Sequence, residues 1–421
     1  MLDIKFIREN PNLVQKGTNS KNFPADISKL LELDASIKPL QQELENLRSF
    51  RNSSSKIMAQ ASPEEREEIK AKIVAAKVEM EKIQTKLSEK KKLFQNIMEI
   101  IAQPPRADVP EGKSDKDNQV LEHWGKPREF TFKAKDHLEL GLNHQIIDIE
   151  RGVKLSGSRS YVLRHMGAML EQAIMRFTYD TLLQRNFIPM SVPILVNDAC
   201  MEGTGYFPLG RDQAYYVEKD KLALVGTSEV PLCSLHSNET LKKTELPLKM
   251  MAQTPCFRRE SGSYGKDTKG LYRVHQFTKI EMVVLAEADQ NITDILHEEI
   301  LANAEFILQS LELPYRKVYV CTGDLGQGQV RKHDLETWMP SRNSYGETHS
   351  CSSFYDFQSR RLNIKYKDEK GQKKYVYTLN NTACASPRLL IPLIENHQTE
   401  DGKIKIPKCL QKYMNNMEYI G

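Results

Sequence analysis

The chain has 421 residues, 28% of them charged and 39% hydrophobic, with 60 Lys and Arg against 56 Asp and Glu for a net charge of +4. That length suits two or three domains, and the mild basic excess permits a nucleic-acid partner without demanding one. The seven Cys (Cys200, Cys233, Cys256, Cys321, Cys351, Cys384, Cys409) are scattered, no two at zinc-ligand spacing, which argues against a structural zinc site and a disulfide framework. The opening MLDIKFIREN carries an acid at position 3 and no long apolar run, so a cytoplasmic protein with reduced thiols and no signal, transit or membrane segment is expected.

Residues 1 to about 28 read as a short helical lead-in punctuated by Pro11 and Pro24. A heptad seam follows: Leu30, Leu33, Ile37, Leu40, Leu44 and Leu47 recur at alternating three and four. After a polar, Ser-rich tip from Arg48 to Pro63 the seam returns as Ile69, Ile73, Ala76, Met80, Ile83, Leu87, Lys90, Phe94, Ile97 and Ile101, with Lys90 off-type. The pattern predicts an antiparallel coiled-coil hairpin over residues 30–101, each helix on the order of 45 Å long at 1.5 Å per residue. Pro39 interrupts the first seam, where loss of a backbone hydrogen bond predicts a kink or a restart. So long a hairpin is either a dimerisation coiled coil or a protruding arm whose Arg48, Arg51 and Lys56 meet phosphates. Its flanks mix Lys and Glu evenly, so charge leaves both readings open.

Gln103-Pro104-Pro105-Arg106 ends the second helix, giving an N-terminal domain at 1–105, a polar linker at 106–119 and a second domain at 120–421. Leu163 to Phe187 has an amphipathic helical pattern and leads into the strand-like Ile188-Pro189-Met190-Ser191-Val192-Pro193. Short strand-like runs alternate with turns and helices from Ala214 onward. A helix is expected over Ile292–Ser310, and strands over Tyr315–Val320, Ser353–Tyr366 and Lys374–Leu379. No βαβ repeat, GxGxxG or GxxxxGK[ST] motif is present, so the fold class is α+β, an antiparallel sheet flanked by helices, and a nucleotide site would lack a P-loop.

Thr254 to Val284 reads as strand, polar loop (Gly262, Gly265, Gly270), strand: an antiparallel hairpin. Arg258 and Glu260, two apart, would share one strand face, with Phe277 available for stacking. A bidentate cation suits a phosphate, an acceptor suits a base amino group, and an aromatic ring suits a purine. A surface hairpin with a salt bridge would show the same charge pattern. Glu347-Thr348-His349-Ser350-Cys351-Ser352 precedes the strand-like FYDFQSRRLNI. Glu347 and Ser350, three apart in a turn, would either offer two oxygens to one magnesium ion or form a capping box. Arg388 follows Pro387 at the start of an apolar helix within Thr378–Asn396, where a helix N-terminus and an Arg favour phosphate.

The Thr254–Val284 stretch, down to its RVHQF tail, resembles motif 2 of class II aminoacyl-tRNA synthetases, and the match to the seryl family is close. The helix, strand and proline of residues 163–193 resemble motif 1, the dimer-interface element, and residues 378–396 resemble motif 3. The resemblance implies ATP-dependent attachment of L-serine to serine tRNA through a seryl-adenylate, with magnesium, in a homodimer. It also implies serine transfer to selenocysteine tRNA where the host has one. The coiled-coil hairpin then corresponds to the arm that grips tRNA.

By the same resemblance Arg258 clamps the α-phosphate and the serine carboxylate, Glu260 accepts from the adenine amino group, Phe277 stacks on the base and Val274 lines the nucleotide pocket. Arg259 joins the ATP-binding set, Arg273 and Arg388 serve the phosphates, and Glu347 with Ser350 holds magnesium. Thr348 and His349 stand where relatives often carry Val-Ser, and are expected to act through their backbone. Thr227-Ser228-Glu229 resembles the Thr-x-Glu loop for the serine amino group, usually with Ala in the middle. Glu281 takes the serine hydroxyl, and Asn380 and Thr382 close the pocket. Pro387 replaces a Gly common in relatives. Two alternatives are a carrier-protein aminoacylating paralogue, expected to lack the arm, and a non-catalytic tRNA-binding relative, expected to have lost Arg258, Glu260, Glu347 or Arg388; this chain carries the arm pattern and all four residues.

Overall fold

The computed structural model describes residues 1–261 and 270–421, so Gly262 and Gly265 of the predicted hairpin tip lie outside the described residues. Two units are distinguished, Leu2–Pro104 and Pro105–Gly421 together with Met1. In the first, α1 (Ile4–Glu9) and α2 (Pro11–Ser20) lead into two long helices, α3 (Ile27–Met58) and α4 (Pro63–Ile100). Each long helix starts with its orphan N–H groups satisfied by a side chain. The Asp26 carboxylate accepts from Lys29 N at 3.0 Å, and Ser62 with Glu65 forms a reciprocal capping box.

The predicted seam is the packed one: Leu44 lies buried with Met80, Ile83 and Leu87, and Ile37, Leu40 and Leu47 pack against them. Lys90, off-type in the heptads, keeps its charge satisfied by donating from Nζ to Ser36 Oγ at 3.0 Å. The tip is shorter than expected, because α3 continues to Met58 and the chain reverses over residues 59–62; Arg48, Arg51 and Lys56 therefore ride on helix. Pro39 does not restart the helix, which is continuous from Ile27 to Met58. The carbonyl a proline leaves unbonded belongs to the residue four earlier. Here that is Ala35, exposed like Pro39, so water can take the missing donor's place.

The second unit is built on eight strands: β1 (Gln119–Trp124), β2 (Ile188–Met190), β3 (Leu248–Phe257), β4 (Gln276–Ala286), β5 (Tyr315–Tyr319), β6 (Arg331–Met339), β7 (Ser344–Tyr355) and β8 (Tyr377–Ala385). Their order is β1-β5-β6-β7-β8-β4-β3-β2, antiparallel except for the β2–β3 pair at one edge. Helices α5 (Met166–Gln184), α6 (Gln290–Ser310) and α7 (Ser386–Asn396) complete the unit. Alternation along β4 assigns the faces. Ile280, Met282 and Val284 pack with Leu170 and Ile174 of α5, Ile300 of α6 and Leu389 of α7, while Val283 and Leu285 join a second apolar cluster with Leu232, Leu241 and Ile364.

Two expectations fail locally. Glu347–Ser352 is not a turn but part of β7, and FYDFQSRRLNI is not one strand: β7 ends at Tyr355 and Phe357–Leu362 is a helix. The aromatic residues gave that stretch its strand-like look, whereas Arg360 pairs with Asp356 one turn back at 2.8 Å and Asn363, left-handed at φ +55°, ends the helix.

On the helix-covered face, His297 of α6 and His333 of β6 are buried and hydrogen-bonded ring to ring at 2.9 Å. Burial, reinforced by Arg331, pushes His333 down to about 3; burial and the neighbouring His333 push His297 well below the usual imidazole range. Both are neutral when folded and take a proton when unfolded below about pH 6.5. The unfolded chain then binds more protons, so stability is full above that pH and falls as pH drops. The slope is about 1.4 kcal/mol per pH unit for each group. Melting temperature should therefore decline between pH 7 and 5, and His333→Gln should flatten that decline; an unchanged slope would count against these histidines as its source.

Candidate active site

A cavity of about 330 Å³ opens on the sheet face opposite α5–α7. Arg258, Glu260, Arg273, Val274, Phe277, Glu347, Thr348, Ser350 and Arg388 line it, as do Glu229, Glu281, Asn380 and Thr382. Hence it gathers residues from the hairpin, from β7, from the β8–α7 junction and from a distant short helix, Glu229–Ser234.

The first strand of the hairpin contributes through its end, the second through the face carrying Phe277, Lys279 and Glu281. β3 stops at Phe257, so Arg258 and Glu260 do not share a strand face as expected; Glu260 takes a left-handed backbone at φ +52°. A non-glycine residue there costs about 1–2 kcal/mol, and such strain gathers at functional sites. The Arg258 guanidinium lies 5.3 Å from the centre of the Phe277 ring and donates from Nε to Gly226 O at 3.2 Å. Glu260 pairs with Arg273 at 3.4 Å. Arg259 is exposed and outside the cavity lining; its backbone N–H donates to Gln213 O at 2.9 Å.

Glu347 and Ser350 are three apart, and a regular strand would send them to opposite faces. The register removes the conflict. Asp334 faces Ser350 and Leu335 faces His349, but Glu336 faces Glu347, so Thr348 is an extra residue in β7. This β-bulge returns Glu347 to the cavity face. Thr348 itself is fixed by contact with Thr337 Oγ1 at 2.7 Å. His349 points away from the cavity, donating from Nε2 to Ala383 O at 3.1 Å, and burial pushes its imidazole down to about 4.

Arg388, one residue after Pro387 at the start of α7, lies 3.5 Å from the Glu347 carboxylate and 4.6 Å from the centre of the Tyr272 ring. Loss of water pushes the Glu347 carboxyl up, but Arg388, Lys332, Arg258 and Arg273 outweigh that and hold it below the ordinary glutamate range. An ionised carboxylate and a hydroxyl on one face are hard oxygen donors that fit a magnesium ion carrying water and phosphate. The other close grouping among the described residues, His297, Glu298 and His333, suits an ion less. Its imidazoles already bond each other and Glu298 pairs with Arg331 at 2.8 Å.

The far end of the cavity is buried and polar. Glu229 accepts from Tyr206 Oη at 2.9 Å and from Gln358 Nε2 at 2.7 Å; burial, then the nearby Glu281, raise its carboxyl. Lys279 is ion-paired with Glu281, which also accepts from Thr382 Oγ1 at 3.4 Å. Thr227 and Ser228 are buried behind the lining. Thr227 Oγ1 accepts from Glu229 N at 3.2 Å and Ser228 Oγ donates to Ala252 O at 3.2 Å, so both hold the Glu229 turn in place.

Lys279, Tyr206 and Gln358 escaped the sequence reading. The alternation Phe277, Lys279, Glu281 on one strand could have revealed the lysine; the other two carry no local signal. Two carboxylates with one ammonium between them leave a site for a ligand's cationic group. Lys279→Met should cost about 3–5 kcal/mol in urea unfolding by stranding Glu281, and adding Glu281→Leu should restore most of it; no loss in the single variant would contradict the pairing.

The chain's two units each match a family. Residues 1–105 match the seryl-tRNA synthetase N-terminal domain and residues 215–397 the tRNA synthetase class II core domain (G, H, P, S and T). The serine–tRNA ligase of Deinococcus radiodurans is 42% identical over 421 residues, covering 100% of this chain and 99% of its own. The crystal structure of seryl-tRNA synthetase from Pyrococcus horikoshii complexed with ATP is similar with a TM-score of 0.90 and 35% identity, over 100% of this chain and 99% of that one. The cytoplasmic serine–tRNA ligase of Naegleria fowleri in complex with AMP gives 0.87 and 29%, over 100% and 98%. Among the described residues no helix is long and apolar enough to cross a membrane. Similar along its full length in sequence and in fold, the chain belongs to the seryl-tRNA synthetase family of class II aminoacyl-tRNA synthetases.

Proposed function

We propose that this serine–tRNA ligase activates L-serine with ATP and magnesium and transfers it to serine tRNA, and to selenocysteine tRNA where the host has one. The observation that carries this reading is a single cavity with arginines and a hard-oxygen pair at one end and a buried carboxylate–lysine cluster at the other. Adenylate formation brings two anions together, so positioning and charge neutralisation dominate over proton transfer.

In this reading Arg258 bridges the serine carboxylate and the α-phosphate, while Arg273 and Arg388 take the distal phosphates. Phe277 stacks on adenine, Val274 lines its pocket and Glu260 accepts from its amino group. Arg259 contributes to ATP binding from outside the lining, and Thr348 and His349 act by holding Glu347 and Ser350 on one face. Magnesium held by Glu347 and Ser350 would neutralise phosphate charge. At the buried end Glu229, braced by Thr227 and Ser228, meets the serine ammonium. Glu281 accepts from the serine hydroxyl, and Asn380 and Thr382 close the pocket. Alanine would leave the hydroxyl's hydrogen bond to Glu281 unmade and so be rejected, whereas threonine is rejected by size. The relatives solved with ATP and with AMP support a nucleotide ligand.

Residues 1–105 serve as the tRNA-binding domain, 106–119 as linker and 120–421 as the catalytic domain. The arm's Arg48 and Lys56 are exposed near its tip, as phosphate contacts require. The enzyme acts in the cytoplasm as a homodimer, and the dimer is supported by Leu183 of α5 and Ile188 of the edge strand β2, both large, apolar and exposed.

ATP–pyrophosphate exchange tests the reading: serine should support it, and threonine, alanine and glycine should not. Arg258→Ala should lower exchange by about 10²–10³-fold with the dimer intact by sedimentation; normal exchange in that variant would remove Arg258 from the site. Deleting residues 30–101 should spare exchange and sharply weaken tRNA charging, and charging that survives would make the arm structural.

A further inference from the structure

Asp334 of β6 is a buried carboxylate to which the readings above give no task. It is 5% exposed, its Oδ2 lies 3.0 Å from Lys332 Nζ, and its Oδ1 has no hydrogen-bond partner among the described residues. Buried charged groups are ordinarily paired and hydrogen-bonded at every oxygen, so an open one calls for an explanation. Its place in the ladder supplies it.

Asp334 stands directly opposite Ser350. Opposed residues of an antiparallel pair share a face with their Cβ atoms about 4.5–5.5 Å apart, which puts the carboxylate beside the Ser350 hydroxyl. Two residues on, the bulge at Thr348 brings Glu347 to the same face, opposite Glu336. Glu336 is already committed, with its carboxylate 2.6 Å from Arg316 Nε. Asp334 therefore keeps one open acceptor oxygen on this face.

We propose that Asp334 is a positioning residue for the divalent cation: it accepts a hydrogen bond from the Ser350 hydroxyl, so that the serine's lone pairs turn toward the ion. A hydroxyl binds a hard cation through oxygen lone pairs while its own proton needs an acceptor. Partners of this outer kind orient the ligand and raise its donor strength. Lys332 pairs with one oxygen of the buried carboxylate and leaves the other open. The inference rests on the reading of Glu347 and Ser350 as the cation's ligands.

The test is Mn²⁺ binding to the full-length protein by electron paramagnetic resonance, with a non-hydrolysable ATP analogue. It is paired with the analogue's affinity measured without metal. Asp334→Asn should weaken Mn²⁺ binding by about 10–100-fold and leave metal-free nucleotide affinity within about twofold; in a Ser350→Ala background it should add almost nothing. Unchanged Mn²⁺ affinity overturns the inference. So does equal weakening with and without metal, which is the mark of a purely structural residue. Should Asp334→Asn not fold, Asp334→Glu keeps the charge near Lys332 but displaces the acceptor, and the same metal-specific loss is expected of it. Glu347→Gln separates the two readings. If it too leaves Mn²⁺ binding unchanged, the ligand assignment itself fails; if it abolishes binding that Asp334→Asn preserves, only the role of Asp334 is lost.

Discussion

The antiparallel ladder running β6-β7-β8-β4-β3 is the constraint on which the rest depends. It fixes which side chains reach the cavity, because a one-residue change of register moves a whole strand's side chains to the other face. The ladder is irregular at Leu335/Glu336, at Ser353/Tyr355 and at Ile280/Glu281. Each irregularity adjoins a cavity residue: Glu347, Phe354 and Glu281 respectively. Bulges of this sort re-aim side chains without breaking the sheet. The one at Thr348 places an acidic group, Glu347, where regular pairing would not.

Charge is the second constraint. The cavity collects Arg258, Arg273, Arg388 and Lys279 together with Glu229, Glu260, Glu281 and Glu347. These groups are interleaved: Glu260 with Arg273, Glu347 with Arg388, Lys279 with Glu281. Interleaving lets ionised groups persist away from bulk water, since an unpaired charge there would change its protonation state instead. On the proposed function, it also makes substrate recognition an exchange of partners. A phosphate can take an arginine from its carboxylate, and a divalent ion can take the carboxylate so released.

The N-terminal unit follows simpler physics. Its two long helices need only an apolar seam and satisfied ends. Leu44, Met80, Ile83 and Leu87 supply the first, Asp26 and the Ser62–Glu65 box the second. The same economy explains why Pro39 is tolerated: it lies on the solvent side, where the freed carbonyl of Ala35 is not buried.

The sequence by itself determined the elements whose signal is periodic or local. The heptads of the arm, the helix expected over Ile292–Ser310 and found over Gln290–Ser310, the hairpin strands and Arg388 at a helix start all follow from spacing and from Pro or Gly punctuation. The resemblance in motif order pointed to most of the residues that line one cavity, though Arg259, His349, Thr227 and Ser228 stand outside its lining. Only the tertiary structure decided the rest. That Glu347 and Ser350 share a face depends on a bulge defined by the neighbouring strand, and that Thr227 and Ser228 stand behind Glu229 depends on where the Glu229–Ser234 helix packs. Tyr206 and Gln358 meet at Glu229 across about 150 residues of chain, while Lys279 pairs with Glu281. Periodicity reports which side of an element is apolar, but not which element its polar side will meet, because that is set by long-range pairing and packing.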